Sequence, residues 1–219
     1  MSTPSLLEIV DQFDQKLFDY LKQLRSPSVW KNSYRPVYPH YVPLAAAQNI
    51  LKMTIEKIPE YRDIDPAIEL ILVEGAIVTD TPDFVTSYAS GKVIYKGDQM
   101  VALKVSHKKG LVNLEAFIHE YGHVYAHRYQ SFDAVYKKIT FSLAYSEFCA
   151  IWLERQASKI EPSIFWQIYE WTWNDMSAME KLMRSINTAE QMKKDEEMLG
   201  WEIDRKYVMA KGLIEWWGL

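Results

Sequence analysis

One stretch limits the fold of this chain more than any other: Leu114-Glu115-Ala116-Phe117-Ile118-His119-Glu120-Tyr121-Gly122-His123-Val124-Tyr125-Ala126-His127. It is otherwise apolar from Ala116 to Ala126, so it reads as a helix buried in a core. Two histidines and a carboxylate in such a run cost on the order of several kcal/mol unless a metal or hydrogen bonds compensate. His119, Glu120 and His123 form the pattern H-E-x-x-H. On a helix, residues i and i+4 lie about 40° apart in azimuth and about 6 Å apart along the axis, so both imidazoles reach one ion. Glu120 lies about 100° round from His119, where it can lean over an open coordination position and accept a proton from water. Gly122 sits in mid-helix at a cost of roughly 1 kcal/mol relative to Ala, so close packing is expected there. The plainer alternative is a pair of core histidines satisfied by backbone groups.

A catalytic zinc takes three protein ligands and keeps one position open. His127 is two turns from His119, about 12 Å of rise, whereas ligand atoms on one ion stand about 4 Å apart. It is therefore read as supporting or structural. The next apolar stretch, residues 143–154, contains Glu147 with no cation beside it in sequence, the mark of a carboxylate that needs a metal. Its alternative is an acid facing a solvated groove. Glu154 falls on about the same helical face but adjoins Arg155 and a more polar end, so it is expected to be an ion-paired surface residue. Cys149 is expected to point away from the metal as a small core hydrophobe. The expected centre is one Zn²⁺ per chain on His119, His123 and Glu147, with Glu120 as general base; Mn, Fe, Co or Ni suit the same donors.

Around this helix the pattern predicts an α+β fold. Leu6, Val10, Phe13, Leu17, Tyr20 or Leu21, and Leu24 predict an amphipathic helix over 5–25, with Ser5 and Glu8 at capping-box spacing. Proline and tyrosine over 26–43 predict an ordered, irregular connection, and a second helix is expected over about 44–58. Apolar or alternating runs at 68–73, 84–88, 92–95 and 101–105, with turns at Gly91 and 96–98, predict a small, mostly antiparallel sheet packed on the motif helix. Helices are expected over about 112–129, 131–157, 163–185 and 188–213. No boundary divides the chain, so one domain over 1–219 is expected, with its core at 68–157 and a helical, aromatic-rich extension over 160–219.

Composition removes several classes of function. Of 219 residues 48% are apolar, enough for a large core, and the net charge of −4 gives no basic field for nucleic acid. The single cysteine cannot form an internal disulfide. Acidic residues interrupt the first apolar stretch, which is therefore not a signal peptide, and no run suits a membrane helix, so an intracellular, cytoplasmic protein is expected. Aromatic residues are dense after residue 160; they serve either a core or a surface for a partner protein or a second copy of the chain.

His119, Glu120, Gly122, His123 and His127 match the helix H-E-x-G-H-x-x-x-H of ImmA/IrrE-type peptidases, and the chain resembles the gluzincin branch of zincin metallopeptidases over roughly 68–157. Glu147-Phe148-Cys149-Ala150 resembles the segment that carries their third ligand, although the usual Glu-Ala-Asn run is absent. Ile151 stands where some gluzincins carry a further acid, and Tyr129 stands where a metzincin carries its third histidine. The resemblance implies a zinc-dependent endopeptidase acting on a peptide or on one partner protein, with substrate added to the edge of a strand at 100–107. Tyr121 and Tyr145 are near in sequence but are not assigned to the oxyanion. The competing readings are a metal-dependent hydrolase of another bond, and an inactive zincin-fold binding or regulatory protein acting through its aromatic C-terminal half. A purely structural zinc would want a fourth protein ligand, and no Cys/His cluster supplies one.

Overall fold

The computed structural model describes residues 4–23, 40–79, 87–129, 132–164, 186–191, 194 and 203–218. Helix α1 (Leu6–Gln23) begins where the capping box places it: the Ser5 amide donates to Glu8 Oε2 at 2.8 Å and the Glu8 amide donates to Ser5 Oγ at 3.3 Å. Its apolar stripe from Leu6 to Leu21 is buried. The connection expected over 26–43 lies outside the described residues up to position 39. Its end forms strand β1 (Tyr41–Pro43), whose only described partner is a later strand, so Pro43 needs no ladder N–H on its outer side. Helix α2 (Leu44–Ile55) stops three residues short of expectation, in a turn before Pro59.

The fold is α+β, with a small open, mostly antiparallel sheet packed against helices. Strands β2 (Glu69–Glu74), β3 (Ile77–Thr79), β4 (Ser87–Ala89), β5 (Gly91–Lys96), β6 (Gln99–Lys108) and β7 (Leu111–Asn113) follow in order. β2 and β5 both pair with Ala102–Val105 of β6, so they occupy its two opposite edges. β2 is parallel to β6, and β5 and β7 are antiparallel to it. β1 continues the sheet beyond β7, while β3 and β4 form a separate hairpin-like pair. The strand expected at 100–107 is therefore the spine of the sheet and not an edge, which corrects the reading of it as a substrate-binding edge. Alternation of apolar residues marks a strand but does not say how many neighbours it has. Part of the run at 84–88 lies outside the described residues.

Helix α3 (Leu114–Arg128) carries the motif, followed by α4 (Phe132–Lys138) and α5 (Ser142–Ser158). One helix was expected over 131–157; two are present. The break has a distant cause: the Asp14 carboxylate on α1 accepts from the amides of Thr140, at 2.8 Å, and Phe141, at 3.4 Å, and so satisfies donors just ahead of α5. The helix expected at 163–185 lies almost wholly outside the described residues. Helix α6 (Ile203–Trp217) runs past the end expected at 213.

Contacts along the chain cluster into two compact units. In residues 1–37, 131–148 and 167–219, α1 packs on α6, and Phe13 meets Tyr145 and Phe148 edge-on at 5.3 and 5.6 Å. Trp217 adds an edge contact to Phe148 at 5.5 Å, so this aromatic residue of the C-terminal segment serves the interior of its unit. Residues 38–130 and 149–166 hold both sheets, α2 and α3. α5 is one continuous helix whose residues count towards both units. No helix among the described residues is long and apolar enough to cross a membrane.

Candidate metal centre

β7 runs directly into α3, and Asn113 joins them: it ends the strand and its Oδ1 accepts from the Ala116 amide at 3.2 Å. From Leu114 to His119 every residue of α3 is buried. Glu120, His123 and His127, all half-buried, lie at i, i+3 and i+7 and make a single stripe along the accessible side of the helix.

β5 lies along that stripe. A Cβ added at Gly91 would stand 2.4 Å from Glu120 Cγ, so the general-base candidate occupies the space a side chain would take. Gly91 was expected in a turn; it is the first residue of β5, paired with Val105, and glycine is required there by the close approach of Glu120. Gly91 and Tyr95 share a face of the strand, and the Tyr95 ring meets His127 edge-on at 6.1 Å. His127 accordingly packs against β5, and it is not one of the residues whose ligand atoms come together below.

The opposite side of α3 meets α5 backbone to backbone. A Cβ at Gly122 would be 2.5 Å from Ala150 Cα and 3.2 Å from the carbonyl oxygens of Cys149 and Ala150. The close packing that a mid-helix glycine demanded is this contact. On α5, Glu147, Ala150 and Glu154 fall on one face, with Glu147 one turn before the contact point and Glu154 one turn after it. Cys149 is fully buried, as expected of a core hydrophobe.

Glu154 is the main correction. It is not a surface residue: it is fully buried, and its Oε1 lies 2.5 Å from His119 Nδ1. With Glu154 ionised and the imidazole neutral, the proton of that bond sits on Nδ1 and Nε2 presents its lone pair. The sequence held the signal, because residues seven apart on a helix share a face, but the adjacent Arg155 drew the assignment outward. On an α-helix that arginine points about 100° away.

His119, His123 and Glu147 come together: each offers a ligand atom, and these atoms lie within 4.8 Å of one another. Atoms about 2.0–2.1 Å from a tetrahedral ion stand roughly 3.4 Å apart, so small side-chain rotations close the set. The two rings are nearly perpendicular, with centroids 4.9 Å apart. His119 and Glu147 are buried and His123 is half-buried. Two imidazoles, one of them bonded to a buried carboxyl group, and one carboxylate fit zinc by donor chemistry.

Two further findings had no sequence signal. Lys206 on α6 donates from Nζ to Glu147 Oε1, so the cation missing from the neighbourhood of Glu147 in sequence arrives from 59 residues away. Glu115, in the first turn of α3, is buried; its Oε2 accepts from the His40 amide at 3.2 Å, and burial raises its pKa above the ordinary range. Burial likewise raises the Tyr121 hydroxyl, while Tyr145 has its ring against Phe13 and Phe148. No family model, curated protein or solved structure matches this chain.

Proposed function

We propose that this protein is a zinc-dependent peptide-bond hydrolase. The observation that carries the proposal is the convergence of His119, His123 and Glu147 within 4.8 Å, with Glu120 held on the same helix by the space at Gly91. The resemblance to gluzincins of the ImmA/IrrE type supports the choice of bond. His119, His123 and Glu147 would hold the ion, which when bound polarises water and the scissile carbonyl. Glu154 keeps His119 in the tautomer and orientation that ligation needs. Glu120 takes a proton as the water oxygen bonds to the carbonyl carbon, then delivers it to the amide nitrogen as the C–N bond breaks. β5 replaces β6 as the strand on which an extended substrate would add, because its outer edge has no strand partner among the described residues and it runs beside Glu120. The inactive binding-protein alternative draws less support, since Trp217 is engaged within its own unit.

The test is cleavage of a denatured protein and a mixed peptide library, read by mass spectrometry with and without chelator. Wild-type protein is expected to cleave in a chelator-sensitive manner, and Glu120→Gln to keep its zinc and lose about 10²–10⁴ in rate. A Glu120→Gln variant as active as wild type would sink the mechanism.

A further inference from the structure

We propose that Lys206 is an internal rival of the metal ion: its ammonium and a divalent cation compete for Glu147, so that the C-terminal helix registers whether the centre is loaded. The inference rests on the metal-centre reading and extends it to a helix with no part in that chemistry.

Glu147 is buried, so its carboxylate requires compensation by positive charge or hydrogen bonds. Two sources of positive charge are visible among the described residues' contacts. One is an ion on His119 and His123, whose ligand atoms lie within 4.8 Å of that of Glu147. The other is Lys206, whose Nζ donates to Oε1. Its side chain is a fifth exposed and its ammonium sits 4.6 Å from the centroid of the Tyr207 ring. That ring is a second resting place for the charge and does not depend on Glu147. The two cations are not equivalent tenants. An ammonium bonded to a ligand carboxylate lies within about 5 Å of the ion that carboxylate holds, where mutual repulsion is strong even at an effective dielectric of about 20. Binding the ion therefore favours release of Lys206 towards Tyr207 and solvent. Conversely, the Lys206 contact weakens the hold of Glu147 on metal. Lysine suits this role because its flexible stem and rotatable donors let it leave without disturbing the backbone of α6.

Zinc affinity, measured by competition with a fluorescent chelator, is compared for wild type, Lys206→Met and Lys206→Arg, each checked for fold by circular dichroism. The uncharged, similarly shaped Met variant is expected to bind zinc at least tenfold more tightly, and the Arg variant to stay within about threefold of wild type. A second measurement needs no substitution: acylation of Lys206, followed by mass spectrometry, is expected to speed up at least severalfold when zinc is added to wild-type protein. Zinc binding that is unchanged or weaker in the Met variant, or acylation that zinc leaves unchanged or slows, overturns the rivalry while the metal centre stands. Failure of both wild type and the Met variant to bind zinc removes the centre itself and the rivalry with it.

Discussion

Replacing Gly122 with alanine sets two effects of opposite sign against each other, and the geometry says which one wins. In an unobstructed helix the change stabilises by about 0.8–1.0 kcal/mol, because alanine loses less backbone entropy than glycine. Here the new Cβ would lie 2.5 Å from Ala150 Cα, and ordinary contact begins near 3.4 Å, so the helices must part by about 0.9 Å (3.4 − 2.5). Overpacking of this kind costs about 1–3 kcal/mol, and no side-chain rotation relieves it because the obstacle is backbone. The net expectation is a loss of up to about 2 kcal/mol, or up to roughly 8 °C in Tm for a chain of this size. The metal suffers as well. A 0.9 Å shift of α3 from α5 adds to the movement that His119, His123 and Glu147 need to close on one ion, so zinc binding should weaken severalfold. Thermal melts with and without zinc, together with chelator competition, measure both. Ala150→Gly added to the variant should not rescue it, since the Cα remains. A Gly122→Ala protein with raised Tm and unchanged zinc affinity would refute the backbone contact.

Three other substitutions probe the surroundings. Gly91→Ala should push Glu120 aside, cutting turnover at least tenfold while zinc content stays the same; full activity would show that Glu120 acts from elsewhere. Glu154→Gln should lower zinc affinity about 10–100-fold, read by chelator competition, whereas an unchanged affinity would make the His119–Glu154 bond merely structural. For Glu115 the folded pKa is raised by burial, so its contribution to stability is present below the unfolded value of 4.5 and is lost as pH rises through the folded one. Glu115→Gln should therefore stabilise the protein in denaturant melts at pH 7, with the advantage gone below about pH 4. An advantage that instead grew at low pH would contradict that sign.

The sequence carried those parts of the fold that are local. Ser5 and Glu8 announced the start of α1 because a capping box is a four-residue matter, and H-E-x-x-H placed two candidate ligands and a candidate base because helical geometry fixes their spacing. Glu147 was readable because a lone acid in an apolar helix is costly. What escaped depends on contacts distant along the chain. The break before α5 is made by Asp14 on α1, and the role of β6 as spine rather than edge follows from three partners, one of them parallel. β1 and β7, of three residues each, are too short for alternation to register. Glu154 lies beside Arg155 in sequence, yet the helical face it shares with Glu147 turns it inward to His119. Lys206 reaches Glu147 from a helix whose own pattern says nothing of a metal.

The decisive measurement is zinc content by elemental analysis of the purified, metal-supplemented protein, run beside His119→Ala and Glu147→Ala. About one zinc per chain in wild type, lost in both variants, is the expected result for a centre shared by α3 and α5. Zinc that survives Glu147→Ala would move the third ligand elsewhere, and a well-folded wild-type protein that takes up no metal would mean that His119 and His123 are core histidines and that the proposed hydrolase does not exist.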